Sequence, residues 1–367
     1  MNIGVARERA PGEHRIALGP DSIAKLAKGG ATVLVERGAG VAAGFPDAVL
    51  EKAGATMIDD VASLYATSDV VLRVQPPTLD ESRLLREGSV LVASLPATST
   101  GDLLAALATR RVTALALERV PRITRAQSMD MLSSQSTVSG YKAVLIGAAA
   151  LPKFLPSLTT AAGSIPPARA FIIGAGVAGL QAIATARRLG AVVSAFDVRA
   201  AAREQVMSLG ATFVASDLVS SDAETKGGYA RAQGEEERER TLAAIARHIV
   251  DQDLVVTTAL IPGRAAPVLI TRAMVESMRP GAVIVDLAAE AGGNCELTTA
   301  GETVVVNGVS IIGAMNLPST VPYHASQMLS RNVLTLLQHL IKDNTLTIDL
   351  TDEITKAMVV THDGVVV

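Results

Sequence analysis

The sequence predicts an α/β protein of two doubly wound parallel-sheet domains, the second inserted into a discontinuous first. Three observations predict it. Short β-rich runs alternate with amphipathic helical runs in the N-terminal part, as parallel sheets with helices on both faces require. A second alternation of the same kind starts at Ala168. The chain then closes on a long helical run and strand-like runs, which read as a return to the first domain.

In chain order, residues 2–5, 32–36, 70–74, 90–94 and 113–117 read as strands. Residues 21–28, 46–52, 61–67 and 103–109 read as the helices between them. A connecting helix is expected over 136–150, then a Ser/Thr/Gly/Pro-rich loop ending at 163–167. In the second unit the strands fall at 169–173, 192–196, 212–214, 254–257 and 283–286, with 303–306 and 310–312 continuing the sheet. Residues 323–341 read as one helix, apolar at Met328, Leu329, Val333, Leu336, Leu337 and Leu340. Runs at 357–361 and 365–367 flank Asp363-Gly364, a dipeptide that favours a tight hairpin turn. The expected domains are 1–133 with 323–367, and 134–322.

Composition excludes several classes. With 49% hydrophobic and 19% charged residues among 367, the chain is too apolar for intrinsic disorder. Thirty-three basic against 36 acidic residues give a net charge of −3, which offers no nucleic-acid surface. Aromatics are 2% with no Trp, so stacking on single strands is not expected either. The single cysteine, Cys295, excludes an internal disulfide and a cysteine zinc site. The five histidines form no HxH or HxxxH pair, and no metal site is expected. The N-terminus meets charge too early for a secretory signal. The uncharged stretch 170–186 is slightly short for a membrane span, and 303–330 holds Asn307, Asn316, Pro318 and Pro322. A cytoplasmic chain with no span of its own is expected.

The motif with most chemical content is Gly174-Ala175-Gly176-Val177-Ala178-Gly179, a GxGxxG string. An apolar β-branched run precedes it, a helical run (177–189) follows, and a second strand ends in Asp197, eighteen residues beyond Gly179. That context marks a Rossmann dinucleotide-binding unit. Gly174 permits the tight turn, Gly176 lets backbone approach a pyrophosphate, and Gly179 lets helix pack on strand. The helix N-terminus offers free N–H groups to the phosphates. Asp197 would accept from ribose hydroxyls and repel a 2′-phosphate, favouring NAD(H) over NADP(H), while the neighbouring Arg199 acts against that preference. Lys226-Gly227-Gly228-Tyr229-Ala230 lies in a long polar loop and reads equally as a lid or as a connector.

Longer strings are more specific. They are Pro121-Arg122-Ile123-Thr124-Arg125-Ala126-Gln127-Ser128-Met129-Asp130-Met131-Leu132-Ser133, Gly140-Tyr141-Lys142-Ala143, Gly176 to Ala182, Asp197-Val198-Arg199, Gly227 to Ala230, Thr258 to Gly263 and Glu290 to Asn294. On these, essentially the whole chain resembles the NAD(H)-binding component (domain I, the soluble alpha subunit) of proton-translocating nicotinamide nucleotide transhydrogenases, a group related in fold to alanine dehydrogenase. The resemblance implies that Arg122, Gln127 and Asp130 handle the nicotinamide end, with Ser128, Met129 and Ser133 beside them. Arg122 and Ser133 would donate to the carboxamide oxygen, Asp130 would accept from its NH₂, and Gln127 would reach towards a second nucleotide on a partner. A plainer role for this loop is capping of the following helix by Ser133 or Ser134, which is compatible with binding. Tyr229 matches a mobile loop that closes over nucleotide, Val177 and Gly228 match positions next to the cofactor, and Val198 lies in the adenosine-side segment. Leu260 and Asn316 are placed at strand ends facing the nicotinamide.

Alanine dehydrogenases share the fold but need an arginine and a lysine for substrate, a histidine acid/base and an aspartate near the nicotinamide. By the same resemblance those positions fall here at Arg15, Arg73, Pro96 and Glu290. Proline transfers no proton, and loss of a general acid/base costs about 10²–10⁴-fold. Arginine also differs from lysine in geometry and hydration. His14 is the nearest substitute, or a surface-loop histidine; Arg15 and Arg73 then survive as structural ion-pair partners. A third reading is a non-catalytic NAD(H)-sensing module.

Hydride transfer between two nicotinamides needs no protein acid or base, only rings held face to face at about 3–3.5 Å with water excluded. The resemblance therefore implies NAD(H) on this chain and NADP(H) on a partner subunit, with Arg122, Gln127, Asp130, Ser133 and Tyr229 in the catalytic role. It implies the Si-specific (Re-face), proton-translocating type of NAD(P)+ transhydrogenase, active only with that partner. It further implies a homodimer, and NADP(H)-binding and membrane-spanning subunits that hold it on the inner face of the cytoplasmic membrane. Because the chain ends at Val367 without a span or a second nucleotide motif, those functions are expected on other polypeptides.

Overall fold

A computed structural model describes residues 1–96, 100–215, 218, 234–261, 264–342 and 345–367. The chain folds into two compact units, Met1–Gln135 with Pro318–Val367, and Ser136–Leu317.

The first unit is built on an eight-stranded sheet. Its order is Val365–Val366, Val359–His362, Thr113–Ala116, Val90–Ala93, Val70–Leu72, Asn2–Val5, Thr32–Glu36, Ala55–Ile58. The six N-terminal strands pair in parallel. Their central members are continuous apolar runs because helices cover both faces: Ile3, Val5, Val33, Val35 and Val70 to Leu72 have no exposed surface. The last two strands join antiparallel. The chain's C-terminal end thus completes the sheet begun by its N-terminal end, which makes the first unit discontinuous. The hairpin turn forms at Asp363 and Gly364, both with positive φ (46° and 85°), as a two-residue primed turn requires. The Pro322–Leu340 helix buries Leu329, Val333, Leu336 and Leu337 in the same core, while Met328 is half-buried.

The second unit carries a seven-stranded sheet. Its order is Thr212–Phe213, Val192–Phe196, Arg169–Ile173, Leu254–Thr257, Val283–Asp286, Val309–Gly313, Thr303–Val306. All neighbours are parallel except the last pair. Chain order reverses between Arg169–Ile173 and Leu254–Thr257. Such a switch point is where open α/β sheets bind ligands, beyond the carboxyl ends of the strands. Among the described residues no helix is long and apolar enough to cross a membrane.

Several elements differ from the sequence reading. The connecting helix starts at Met131, not at 136, and runs to Ala150. Its polar first turn reads as loop, but Asp130 caps it: Ser133 N donates to Asp130 Oδ1 at 2.9 Å. The segment expected as pure loop holds a small exposed hairpin, Leu158–Thr160 with Gly163–Ile165. An edge strand, Ala55–Ile58, and the Ala200–Ser208 helix carry too short or too mixed a pattern to stand out.

Candidate nucleotide site

In the second unit the Arg169–Ile173 strand runs into Gly174, Ala175 and Gly176, and the Val177–Arg188 helix follows. Gly174 sits at φ 92°, and a Cβ there would lie 2.6 Å from Thr258 Oγ1. Gly179 is more constrained, since a Cβ would lie 1.8 Å from the Gly174 carbonyl oxygen. Gly176 is different. Its φ is −76°, and among the described residues a Cβ would meet only Arg199 Nη2 at 3.9 Å. The described residues therefore do not require glycine at 176; the room is of the kind a pyrophosphate would use. Among the described residues no side chain caps the helix, so its first N–H groups are available as an anion cradle. A dinucleotide fits this donor set. Gly140, from the Met131–Ala150 helix, fixes the helix start from behind: a Cβ there would lie 2.0 Å from Ala178 O.

Asp197 follows the Val192–Phe196 strand and is 6% exposed. Its Oδ2 accepts from Ala175 N at 2.7 Å and from Arg199 Nη2 at 2.8 Å. Its Oδ1 accepts from Arg199 N and Arg199 Nε, both at 2.9 Å. The acidic residue thus both organises the glycine loop and holds the guanidinium. Val198 is half-buried beside it, and Val177 is 38% exposed at the helix start.

Across the switch point, Thr258 Oγ1 donates to Gly174 O at 2.9 Å and ties the two strand ends together. The following turn is held by Asn294, which accepts from Ala259 N and donates to Ala259 O, both at 2.9 Å. Asn294 is placed in turn by buried Asp286, whose Oδ2 accepts from Asn294 N at 2.7 Å and from Thr298 Oγ1 at 2.6 Å. This Asp286–Asn294–Ala259 relay leaves Leu260 45% exposed at the turn. The sequence signal was present, since Thr258 and Asn294 lie in family-specific strings, but the strings carried no role for them. Asn316 is half-buried at φ 39°, with its N–H donated to Glu290 Oε1 at 3.0 Å. Gly228 and Tyr229 lie outside the described residues.

In the first unit, Arg122 is exposed and a 3₁₀ turn follows over Thr124–Met129. The turn's three-residue repeat puts Ala126 and Met129 in the core and leaves Gln127 and Ser128 exposed. Asp130 ends the turn half-buried. Both its oxygens are engaged by Ser133: N to Oδ1 at 2.9 Å, and Oγ to Oδ2 at 2.6 Å. This corrects the idea that Ser133 or Ser134 caps the helix; the cap is Asp130, and Ser133 serves it.

The residues at the alanine dehydrogenase substrate positions are sealed. Arg15 is 6% exposed. It donates to Glu13 through Nε (2.8 Å) and Nη2 (2.7 Å), and to Gln135 Oε1 through Nη1 (2.8 Å). Burial pushes the Glu13 carboxyl up, but Arg15 pulls it further down, to about 2. Arg73 is 2% exposed, between Tyr65 Oη (2.7 Å), Glu81 (3.0 Å) and Glu8 (3.3 Å). Burial opposes its charge, yet Glu8, Tyr65 and Glu81 hold its proton more tightly than usual. Both arginines are ion-pair partners in the interior, as the sequence suggested. His14 is an exposed loop residue, with its N–H donated to Ser319 Oγ at 2.6 Å.

Comparison with known proteins agrees with this arrangement. Residues 4–139 match the N-terminal domain, and residues 143–367 the C-terminal domain, of the alanine dehydrogenase/PNT family. The chain is 49% identical to an NAD(P) transhydrogenase subunit alpha polypeptide of Rhodospirillum rubrum, covering 100% of this chain and 98% of that protein. It is 33% identical to an alanine dehydrogenase of Halomonas elongata over 91% of this chain and 86% of that protein. In structure it matches a transhydrogenase from Sinorhizobium meliloti with a TM-score of 0.90 and 44% identity, covering both chains fully. An L-alanine dehydrogenase matches at 0.82 and 27%, covering 100% of this chain and 97% of that one. The chain therefore belongs to the alanine dehydrogenase/PNT family, and within it resembles the NAD(P) transhydrogenase alpha subunits more than these alanine dehydrogenases.

Proposed function

We propose that this chain is the NAD(H)-binding subunit of a proton-translocating transhydrogenase, passing a hydride between NADH and NADP+ held on a partner subunit. The observation that carries the reading is the contrast between two sets of side chains. Arg122, Gln127 and the Ser133-ordered Asp130 stand at or near the surface, while Arg15 and Arg73 are locked in buried ion pairs. The first set suits a carboxamide; the second leaves no free cation at those positions for the carboxylate of an amino-acid substrate.

NADH supplies the hydride when bound; the protein's work is to hold and orient it. Gly176 and the uncapped helix take the pyrophosphate, and Asp197 takes the ribose hydroxyls and sets the preference for NAD(H). Arg122 donates to the carboxamide oxygen and Asp130 accepts from its NH₂, which fixes the ring face. Gln127 reaches the second nucleotide, and Tyr229 covers the bound one. Alignment of this kind, with water excluded, contributes about 7–11 kcal/mol without any acid or base. The chain acts as a homodimer and is held at the cytoplasmic face of the membrane by NADP(H)-binding and membrane-spanning subunits, where transfer is coupled to proton movement.

The test is a split between binding and turnover. Gln127→Asn and Asp130→Asn variants should bind NADH within about threefold of the parent, yet lose about tenfold or more of partner-dependent hydride transfer. Parallel loss of binding and turnover, or loss of neither, would overturn these assignments.

A further inference from the structure

The turn that presents Gln127 is small, and only Ala126 and Met129 anchor it to the core. Side chains from elsewhere in the same unit also hold it. Asp352 and Glu353 pair with Arg125 at 2.6 and 3.4 Å, but the Arg125 side chain is 58% exposed, and exposed pairs hold weakly. The other holder is Asn332, on the Pro322–Leu340 helix and 8% exposed. Its Nδ2 donates to the Ser128 carbonyl oxygen at 2.8 Å, and its Oδ1 accepts from Ser134 Oγ at 2.6 Å. One buried amide therefore joins the residue next to Gln127 to the first turn of the helix that Asp130 caps.

The amide cannot rotate freely. Ser134 Oγ also accepts from Gln135 Nε2 at 3.2 Å, Gln135 Nε2 donates to Ala325 O at 3.1 Å, and Gln135 Oε1 takes Arg15 Nη1. Asn332 is the outer end of a buried polar chain rooted in the Glu13–Arg15 pair, and such a chain fixes the orientation of each member. Losing Asn332 would also fall on one side only. Ser134 has an alternative acceptor in Met131 O at 3.1 Å, whereas no other donor to the Ser128 carbonyl is seen among the described residues.

We propose that Asn332 is a positioning residue, which sets where Gln127 and Asp130 stand and thereby how the nicotinamide is oriented; this rests on the proposed function of that loop. No small change of side chain satisfies both partners. Leucine keeps the volume but makes neither bond. Aspartate still accepts from Ser134 but sets a carboxylate oxygen against the Ser128 carbonyl.

The experiment uses Asn332→Ala and Asn332→Asp in the full chain, with the partner's NADP(H)-binding domain added. Both variants should lower kcat for hydride transfer by about 10–100-fold, as small misplacements of reacting groups do. Their Kd for NADH should stay within about threefold, because the adenosine half is held by the second unit. Amide exchange should speed up about tenfold at residues 130, 133 and 134 and stay unchanged in the Asn2–Val5 strand. Turnover within about twofold of the parent, with unchanged exchange at those amides, would overturn the proposal. Equal acceleration in Asn2–Val5 would also overturn it, by making Asn332 a residue of general stability. If the parent chain itself transfers no hydride with a competent partner, the functional reading falls, and the exchange measurement alone decides the clamp.

Discussion

The Arg199 guanidinium fills two of the four acceptor positions of the Asp197 carboxylate, and the backbone amides of Ala175 and Arg199 fill the other two. A ribose that bonds to Asp197 must therefore displace the guanidinium rather than enter an empty position. Arg199→Ala should raise the preference for NADH over NADPH by about tenfold, because the carboxylate then meets a 2′-phosphate uncompensated. Asp197→Asn should weaken NADH by about tenfold or more and erase the preference. Fluorescence titration with both nucleotides checks this; improved NADPH binding by Arg199→Ala would contradict it.

Gly176 and Gly179 belong to one motif but fail differently. An added methyl at 179 runs into the Gly174 carbonyl, so Gly179→Ala should cost about 3 kcal/mol of stability. At 176 the methyl meets nothing among the described residues closer than Arg199 at 3.9 Å, and the φ of −76° suits alanine. Gly176→Ala should melt within about 0.5 kcal/mol of the parent while losing NADH affinity. Thermal melts alongside NADH titration separate the two; a destabilised Gly176→Ala would show that this glycine serves the fold.

Glu13 makes part of the first unit acid-sensitive. Its folded value of about 2 lies below the ordinary 4.5. The stability it contributes is therefore complete above pH 4.5 and lost as pH falls towards 2. Glu13→Gln leaves Arg15 buried without its charge partner and should cost about 3 kcal/mol at pH 7. The gap between parent and variant should narrow as pH falls from 4.5 to 2, which denaturant melts at several pH values will show. Glu8 works in the opposite sense: burial raises its carboxyl, Arg73 only partly offsets this, and acidification relieves it. A parent–variant gap that stays constant with pH would count against the pairing.

Cys295 is 1% exposed, and burial pushes its thiol up to about 11. A buried, protonated thiol is a poor nucleophile. The native chain should leave a disulfide reagent unreacted at about pH 8 and consume one equivalent once unfolded in guanidinium. Rapid native reaction would mean that the second unit opens readily around this residue.

The sequence exposed what depends on local pattern. Arg169–Ile173, Val192–Phe196, Leu254–Thr257 and Val283–Asp286 are mostly apolar runs, buried throughout except at Arg169 and Val192, and their bounds agree residue for residue with the expectation. The start of the Met131–Ala150 helix was hidden because its first turn is polar and its cap, Asp130, reads as a binding residue. The Leu158–Thr160 and Gly163–Ile165 hairpin was hidden because its exposed strands carry no alternation. In the site, the glycines and Asp197 could be read from spacing. The contacts of Asn294, Thr258 and Asn332 could not, since each joins segments far apart in sequence: 35 residues for Asn294 and Ala259, 84 for Thr258 and Gly174, 204 for Asn332 and Ser128.

The most direct test of the central claim is transfer of label from NADH deuterated at C4 to NADP+ in ordinary water. It would be run with this chain alone, with the partner's NADP(H)-binding domain alone, and with both. The account predicts deuterated NADPH only when both are present, with no protium taken from water and sharp loss in Asp130→Asn. NADPH that carries solvent protium, or no NADPH although the chain binds NADH and the partner binds NADP+, would contradict direct hydride transfer by this subunit.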